Sequence, residues 1–186
     1  MRIVLVGPPG VGKGTQAVRL AERLQVPHLS SGDLLRDACQ RQTDVGLQAA
    51  EFMQAGKLVP DELILSTVFA RLAEADCRSG CLLDGFPRNQ PQAEQLDEFL
   101  AGRQEALAAV IVIQASEQEL FRRLADRGRL DDSEEVIRKR LVEYDTLTRP
   151  LVDYYRDRGI LQTVDGEGSP DEVFTRIQQV VAGLQK

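Results

Sequence analysis

At 186 residues the chain is long enough for one α/β domain with small insertions, whose core needs neither disulfide nor structural metal. A net charge of -6 excludes the massed basic surface that sequence-independent binding to nucleic acid or an anionic membrane requires. No stretch approaches the roughly 18 apolar residues of a membrane span, and the short apolar run before Gly7 is too brief for a secretory leader.

Short apolar runs alternate with amphipathic stretches, as in crossover units on a parallel sheet. The predicted strands are Arg2-Val6, Pro27-Leu29, Cys81-Leu83, Ala109-Gln114 and Ile160-Val164, with their C-terminal ends along one edge, where open α/β sheets bind ligands. The first strand runs into Gly7-Pro8-Pro9-Gly10-Val11-Gly12-Lys13-Gly14-Thr15. A strand, a glycine-rich turn and a helix start leave backbone N–H groups aimed at one point, at the positive end of the helix dipole, which suits phosphate. Gly12 permits close backbone approach and Lys13 supplies a point charge for the β and γ oxygens. Where most such loops carry a Ser or Thr for Mg²⁺, this chain has Gly14, and the hydroxyl follows at Thr15.

Further along, Cys81-Leu82-Leu83 ends in Asp84-Gly85-Phe86-Pro87-Arg88. A carboxylate at a strand end beside the loop suits Mg²⁺ or its waters. With no hydroxyl at Gly14, the expectation is a metal held by the triphosphate and water, with Asp84 and Asp33 acting from outside. The guanidinium of Arg88 lies just past a central strand, and its fork suits a phosphate. Ser116-Glu117-Gln118-Glu119 reads as a capping box whose helix carries Arg123 and Arg127 on one face. Asp132-Ser133-Glu134-Glu135 starts the next helix, which carries Arg138, Lys139 and Arg140. That helix ends near Thr148 because Pro150 disfavours helical geometry at Arg149. Arg138 and Lys139 read as solvated charges pairing with Glu134 and Glu135. A second capping box at Ser169-Pro170-Asp171-Glu172 starts the last helix.

The odd count of cysteines (Cys39, Cys77, Cys81) suggests reduced thiols and a cytoplasmic protein. Cys77 and Cys81 lack the second Cys or His pair of a zinc site and read as small buried hydrophobes. His28, the only histidine, lies in an apolar strand and reads as structural.

The loop at 7 to 15, Leu29-Ser30-Ser31-Gly32-Asp33-Leu34-Leu35-Arg36, Gly56-Lys57-Leu58-Val59-Pro60-Asp61, Asp84 to Arg88, and Arg138-Lys139-Arg140-Leu141 together resemble the nucleoside monophosphate kinases, specifically the short-lid adenylate kinase pattern. The segments follow the family's order and cover nearly the whole chain. The resemblance implies a three-layer α/β/α P-loop fold with a five-stranded parallel sheet. It divides the chain into a core (1–29, 60–125, 133–186), a small helical segment over the acceptor (30–59) and a short lid (126–132).

By the same resemblance ATP meets Gly10, Val11, Gly12, Lys13, Gly14, Thr15, Arg123, Arg127 and a backbone group of Gly168, with Arg123 stacked on the adenine. AMP meets Ser31, Arg36, Lys57, Leu58, Val59, Gly85, Phe86, Pro87, Arg88, Gln92, Arg129 and Arg140. The Gln92 amide both donates and accepts, as the adenine edge requires. Lys13, Arg88, Arg127, Arg129 and Arg140 would act on the phosphoryl group in transit. The reaction implied is reversible transfer from MgATP to AMP by a monomer with no nucleic-acid or membrane partner and no zinc. UMP/CMP kinases share most motifs but usually show a small apolar residue at the Ser31 position and Asn at the Gln92 position. A non-catalytic nucleotide sensor would not need Lys13, Arg36, Arg88, Arg127, Arg129 and Arg140 together. In longer members a lid separates the positions of Arg127 and Arg129; here Gly128 alone does, so a turn around 126–132 and closure of 30–59 must exclude water.

Overall fold

The computed structural model describes residues 1–55, 57–127 and 134–184, with the side chains of all but 125–127 and 134. Its strands are β1 (Arg2–Val6), β2 (His28–Ser30), β3 (Cys81–Asp84), β4 (Ala109–Gln114) and β5 (Leu161–Asp165). They form one parallel sheet in the order β2-β3-β1-β4-β5. Alternation along β1 explains why the whole run is apolar. Ile3 and Leu5 face one side of the sheet and Val4 and Val6 the other, and both sides are covered.

On the first side Ile3, Leu5, Leu82, Ile111 and Ile113 pack against α1 (Lys13–Leu24), α6 (Glu117–Arg127) and α9 (Pro170–Leu184). On the second, Val4, Val6, Leu83, Val110 and Val112 pack against α2 (Ser31–Gln40), α3 (Asp44–Gln54), α4 (Asp61–Leu72), α5 (Gln90–Ala101) and α8 (Leu151–Asp157). Cys77 and Cys81 are free and buried in that second core. Among the described residues no helix is long and apolar enough to cross a membrane.

Helix ends follow the local chemistry in most places. Ser30 caps α2 by accepting from Asp33 N–H at 3.2 Å. At α9 the capping box is complete: Ser169 N–H donates to Glu172 at 2.7 Å and Glu172 N–H to Ser169 Oγ at 3.3 Å. The box expected at Ser116 does not form. Ser116 N–H donates to Glu167 at 2.9 Å, while Glu119 accepts from Arg122 and Arg123. A carboxylate between two guanidinium groups makes charge-assisted bonds, and these are stronger than the one it would make with a neutral N–H.

Helix α7 (Glu134–Glu143) passes into a π-helical turn, Tyr144–Thr148, before Pro150. Lys139 pairs with Glu135 at 2.8 Å, as expected, and Arg138 lies over the Phe121 ring at 5.4 Å; the side chain of Glu134, its expected partner, lies outside the described ones. Of the segment 126–132, Asp126 and Arg127 are still helical and the rest lies outside the described residues.

Candidate active site

The C-terminal ends of β1, β2 and β3 open into a cavity of about 650 Å³. At one end lies the glycine-rich loop. Gly12 takes a left-handed conformation as the N-cap of α1 and contributes no side-chain cap, so the first N–H groups of the helix have no intrahelical partners and face an incoming anion. Lys13 folds over this loop, with Nζ donating to the Gly7 carbonyl and, at 2.9 Å, to that of Pro8. Gly10 has φ near +85°, and a methyl group on it would come 2.7 Å from Leu124 Cγ. The glycine is therefore required both by backbone conformation and by contact with α6.

Arg123 fixes the rim. Its guanidinium donates to the carbonyls of Val11 (3.1 Å), Gly166 (3.0 Å) and Gly168 (3.1 Å) and to the carboxylate of Glu119 (2.6 Å). Bonds with Arg122 and Arg123 hold Glu119 well below the ordinary carboxylate range, down to about 2. Guanidinium N–H groups point outward in the plane of the group, so four such bonds set its orientation and leave its faces for stacking.

Asp84 closes the floor at 8% exposure, and its Oδ2 would lie 3.7 Å from a Cβ on Gly14. The missing side chain at Gly14 thus leaves space directly in front of a buried carboxylate. His28 Nε2 faces the same oxygen at 3.5 Å and is buried without a hydrogen-bond partner among the described residues. Among those residues no cluster of three or more His, Cys, Asp or Glu could hold a metal ion by itself. Asp84 has the hard oxygen donors that suit Mg²⁺ carried on phosphate and water. Asp33 is differently engaged: it pairs with Arg36 at 2.5 Å.

The far end of the cavity is built from side chains. Ser31, 2% exposed, donates to the Gly85 carbonyl at 2.7 Å, and Arg88 Nε donates to the same oxygen at 2.8 Å. The guanidinium of Arg88 stands within the cavity, reached by solvent yet crowded by protein. Desolvation pulls its pKa down and nearby Asp84 pushes back, with Arg140, Glu143 and Arg36 in the same neighbourhood. It remains a cation at any working pH.

Gln92, 2% exposed, donates to Asp61 at 2.7 Å and accepts from Arg88 N–H at 2.8 Å. These partners fix which end of the amide is nitrogen and which oxygen. One donor and one acceptor position remain for a ligand. Asn89 caps α5 and also donates to Asp61, at 3.0 Å.

The structure gathers nearly all the predicted positions. Gly10 to Thr15, Arg123 and Gly168 line the loop end; Ser31, Arg36, Lys57, Leu58, Val59, Gly85, Pro87, Arg88, Gln92 and Arg140 line the other, with Asp33 and Asp84. Phe86 departs from the expectation. Its ring is 1% exposed and packs edge-on to Phe69 at 6.4 Å, so its side chain belongs to the core. The side chain of Arg127 and the whole of Arg129 lie outside the described residues.

Sequence reasoning missed the apolar wall of Leu35, Met53, Ile64 and Tyr144, and the polar Glu143 and Thr148. It also missed Asp61 as the group that orients Gln92. Its only local signal was the Pro60-Asp61 helix start, which says nothing of a partner 31 residues away.

Residues 5–160 match the model of a family described as adenylate kinase. An adenylate kinase of Mycobacterium sp. (strain MCS) is 50% identical over 97% of this chain and 99% of its own length. One of Thermobifida fusca is 50% identical over 95% of each chain. One of Methylobacterium nodulans is 44% identical over the whole of this chain and 98% of its own. A single cavity that joins a main-chain phosphate cradle to a separate cluster of arginines agrees with these likenesses along nearly the full length. The chain belongs to the adenylate kinase family.

Proposed function

We propose that the chain binds ATP at the loop end and AMP at the arginine end, and catalyses reversible, Mg-dependent phosphoryl transfer between them to give two ADP. The observation that carries this reading is the two-ended cavity: the cradle of residues 10–15 and the cations Arg36, Arg88 and Arg140 open onto one space. One nucleotide has no use for both ends. The buried Gln92 amide, with one donor and one acceptor still open, matches the adenine edge.

The acceptor is a phosphate oxygen that is already ionised near neutral pH, so no general base is required. Catalysis is then a matter of positioning and of charge. Lys13, whose ammonium rests on two loop carbonyls, reaches the β and γ oxygens when ATP arrives. Arg88 and Arg140, with Arg127 and Arg129, take the charge that spreads over the equatorial oxygens. One such arginine contributes about 10³ to 10⁵ in rate in related phosphoryl transfers. Bound Mg²⁺ supplies further charge neutralisation at the triphosphate, with Asp84 positioned to orient its waters and Asp33 farther out, tied to Arg36.

Segment 30–59 acts as the cover of the acceptor and 126–132 as a short lid. Both must shut out water, because an open site would hydrolyse ATP. AMP-independent ATP hydrolysis is therefore slow beside transfer, and comparable rates would refute the role of the lid. The protein acts as a cytoplasmic monomer without zinc, nucleic acid or membrane.

The deciding experiment supplies MgATP with AMP, CMP, UMP, GMP or no acceptor and measures ADP. Preference for AMP is expected. Preference for CMP or UMP would make the chain a pyrimidine monophosphate kinase, and no transfer to any acceptor would make it a nucleotide sensor.

A further inference from the structure

Glu143 is out of place in a cavity meant for anions. It is the last residue of α7, three after Arg140 and so on the same helix face. It lines the cavity together with Arg88, Arg140, Lys57 and Leu58. Burial pushes its carboxyl above the ordinary range, opposed by the Leu58 N–H and by the charges of Arg88, Lys57 and Arg140. A carboxylate here repels an incoming phosphate, and in a partly desolvated cavity that repulsion is stronger than in water.

The other end of the same cation cluster shows what such a carboxylate does. Arg36 is held by Asp33 at 2.5 Å. Glu143 shares one cavity with Arg88, Arg140 and Lys57, beside the ion pair that Asp33 makes with Arg36.

We propose that Glu143 is a positioning residue that serves as the resident anion of the acceptor site: it occupies the field of Arg88, Arg140 and Lys57 while the site is empty and yields it to the phosphate of the acceptor nucleotide. One consequence follows from the geometry. The arginines are kept apart and oriented without trapping stray anions. The inference rests on the acceptor reading given above.

Glu143→Gln in the full chain removes the charge and keeps the size and polarity of the side chain. Calorimetry with AMP alone is expected to show binding about fivefold tighter than in the unmodified protein at low ionic strength, with the difference fading as salt screens it. Inorganic phosphate should compete with AMP more strongly in the variant. In steady state KM for AMP and kcat should fall together, because a phosphate held more tightly leaves more slowly. KM for ATP should stay put. Glu143→Asp, which keeps the charge, should bind AMP like the unmodified protein.

Unchanged or weaker AMP binding in Glu143→Gln would overturn the inference, as would identical behaviour of the Asp and Gln variants. Glu143→Ala carries the same expectation for AMP and phosphate binding if the Gln variant does not fold. Turnover by the unmodified protein keeps the two levels apart: no transfer to AMP there refutes the acceptor reading, whereas normal transfer with an unaltered Gln variant refutes only the role of Glu143.

Discussion

At the loop end of the cavity the polar wall is main chain held by main chain and by one fixed arginine. The Val11, Gly166 and Gly168 carbonyls all converge on Arg123, and the first N–H groups of α1 face the space between. At the arginine end the wall is side chain held by side chain: Arg36 on Asp33, Gln92 on Asp61, Ser31 and Arg88 on one carbonyl. The two halves are vulnerable in different ways. Apart from Lys13, the loop end presents main-chain groups that no single side-chain truncation deletes, whereas the arginine end depends on individual side chains that must each be in place.

This contrast can be broken by mutation, beginning where the largest effect is expected. Arg88→Ala should lower kcat/KM by about 10³ or more while MgATP binding, followed by calorimetry, largely survives. Arg123→Ala at the opposite rim should shift KM for ATP by only about tenfold, a loss of roughly 1.4 kcal/mol. Equal losses from the two arginines would remove the distinction. Backbone changes should reverse the order. In Gly10→Ala the new methyl meets Leu124 and the residue must hold a left-handed φ, so thermal melts should show a loss of about 1–3 kcal/mol, and ATP binding should weaken with it.

Gln92→Ala sharpens the acceptor side alone. It removes the partner of Arg88 N–H and one of the two side chains that donate to Asp61, and the ratio of kcat/KM for AMP over CMP should drop by about tenfold or more, as expected for loss of a hydrogen-bonding pair in a buried site. An unchanged ratio would mean that the base is read elsewhere. The smallest effect belongs to a position outside both halves: Ser169→Ala removes the cap of α9 and should cost about 1 kcal/mol of stability with kcat intact.

How much of this was legible before the structure differs by the range of the interaction. The P-loop announced itself because strand, glycine turn and helix start are adjacent in sequence, and β1 and β4 fall at the expected residues. The capping box at Ser169 was legible for the same reason: both partners sit within one turn. At Ser116 the same pattern misled, since Arg122 and Arg123 claim Glu119, and the Ser116 N–H goes to Glu167, 51 residues away. No local pattern could announce that competition.

The π-helical turn at Tyr144–Thr148 was equally silent. The sequence carries the stop before Pro150, but the widening of the turn accompanies the packing of Tyr144 and Leu151 on the second core. Phe86 was assigned to the site by its neighbours in Asp84 to Arg88, yet a ring that size beside Phe69 is worth more to the core. The arginine end was recovered mainly through family likeness, because Asp61, Gln92, Gly85 and Arg88 meet only through the fold.

The four bonds of Arg123 also make it a rivet between three separately folded pieces of chain: the phosphate loop, the turn after β5 and the helix α6. Helix α6 is thereby bolted at Arg123 to the glycine-rich loop. Removing the guanidinium would release the loop, the turn and the helix from one another in a single step.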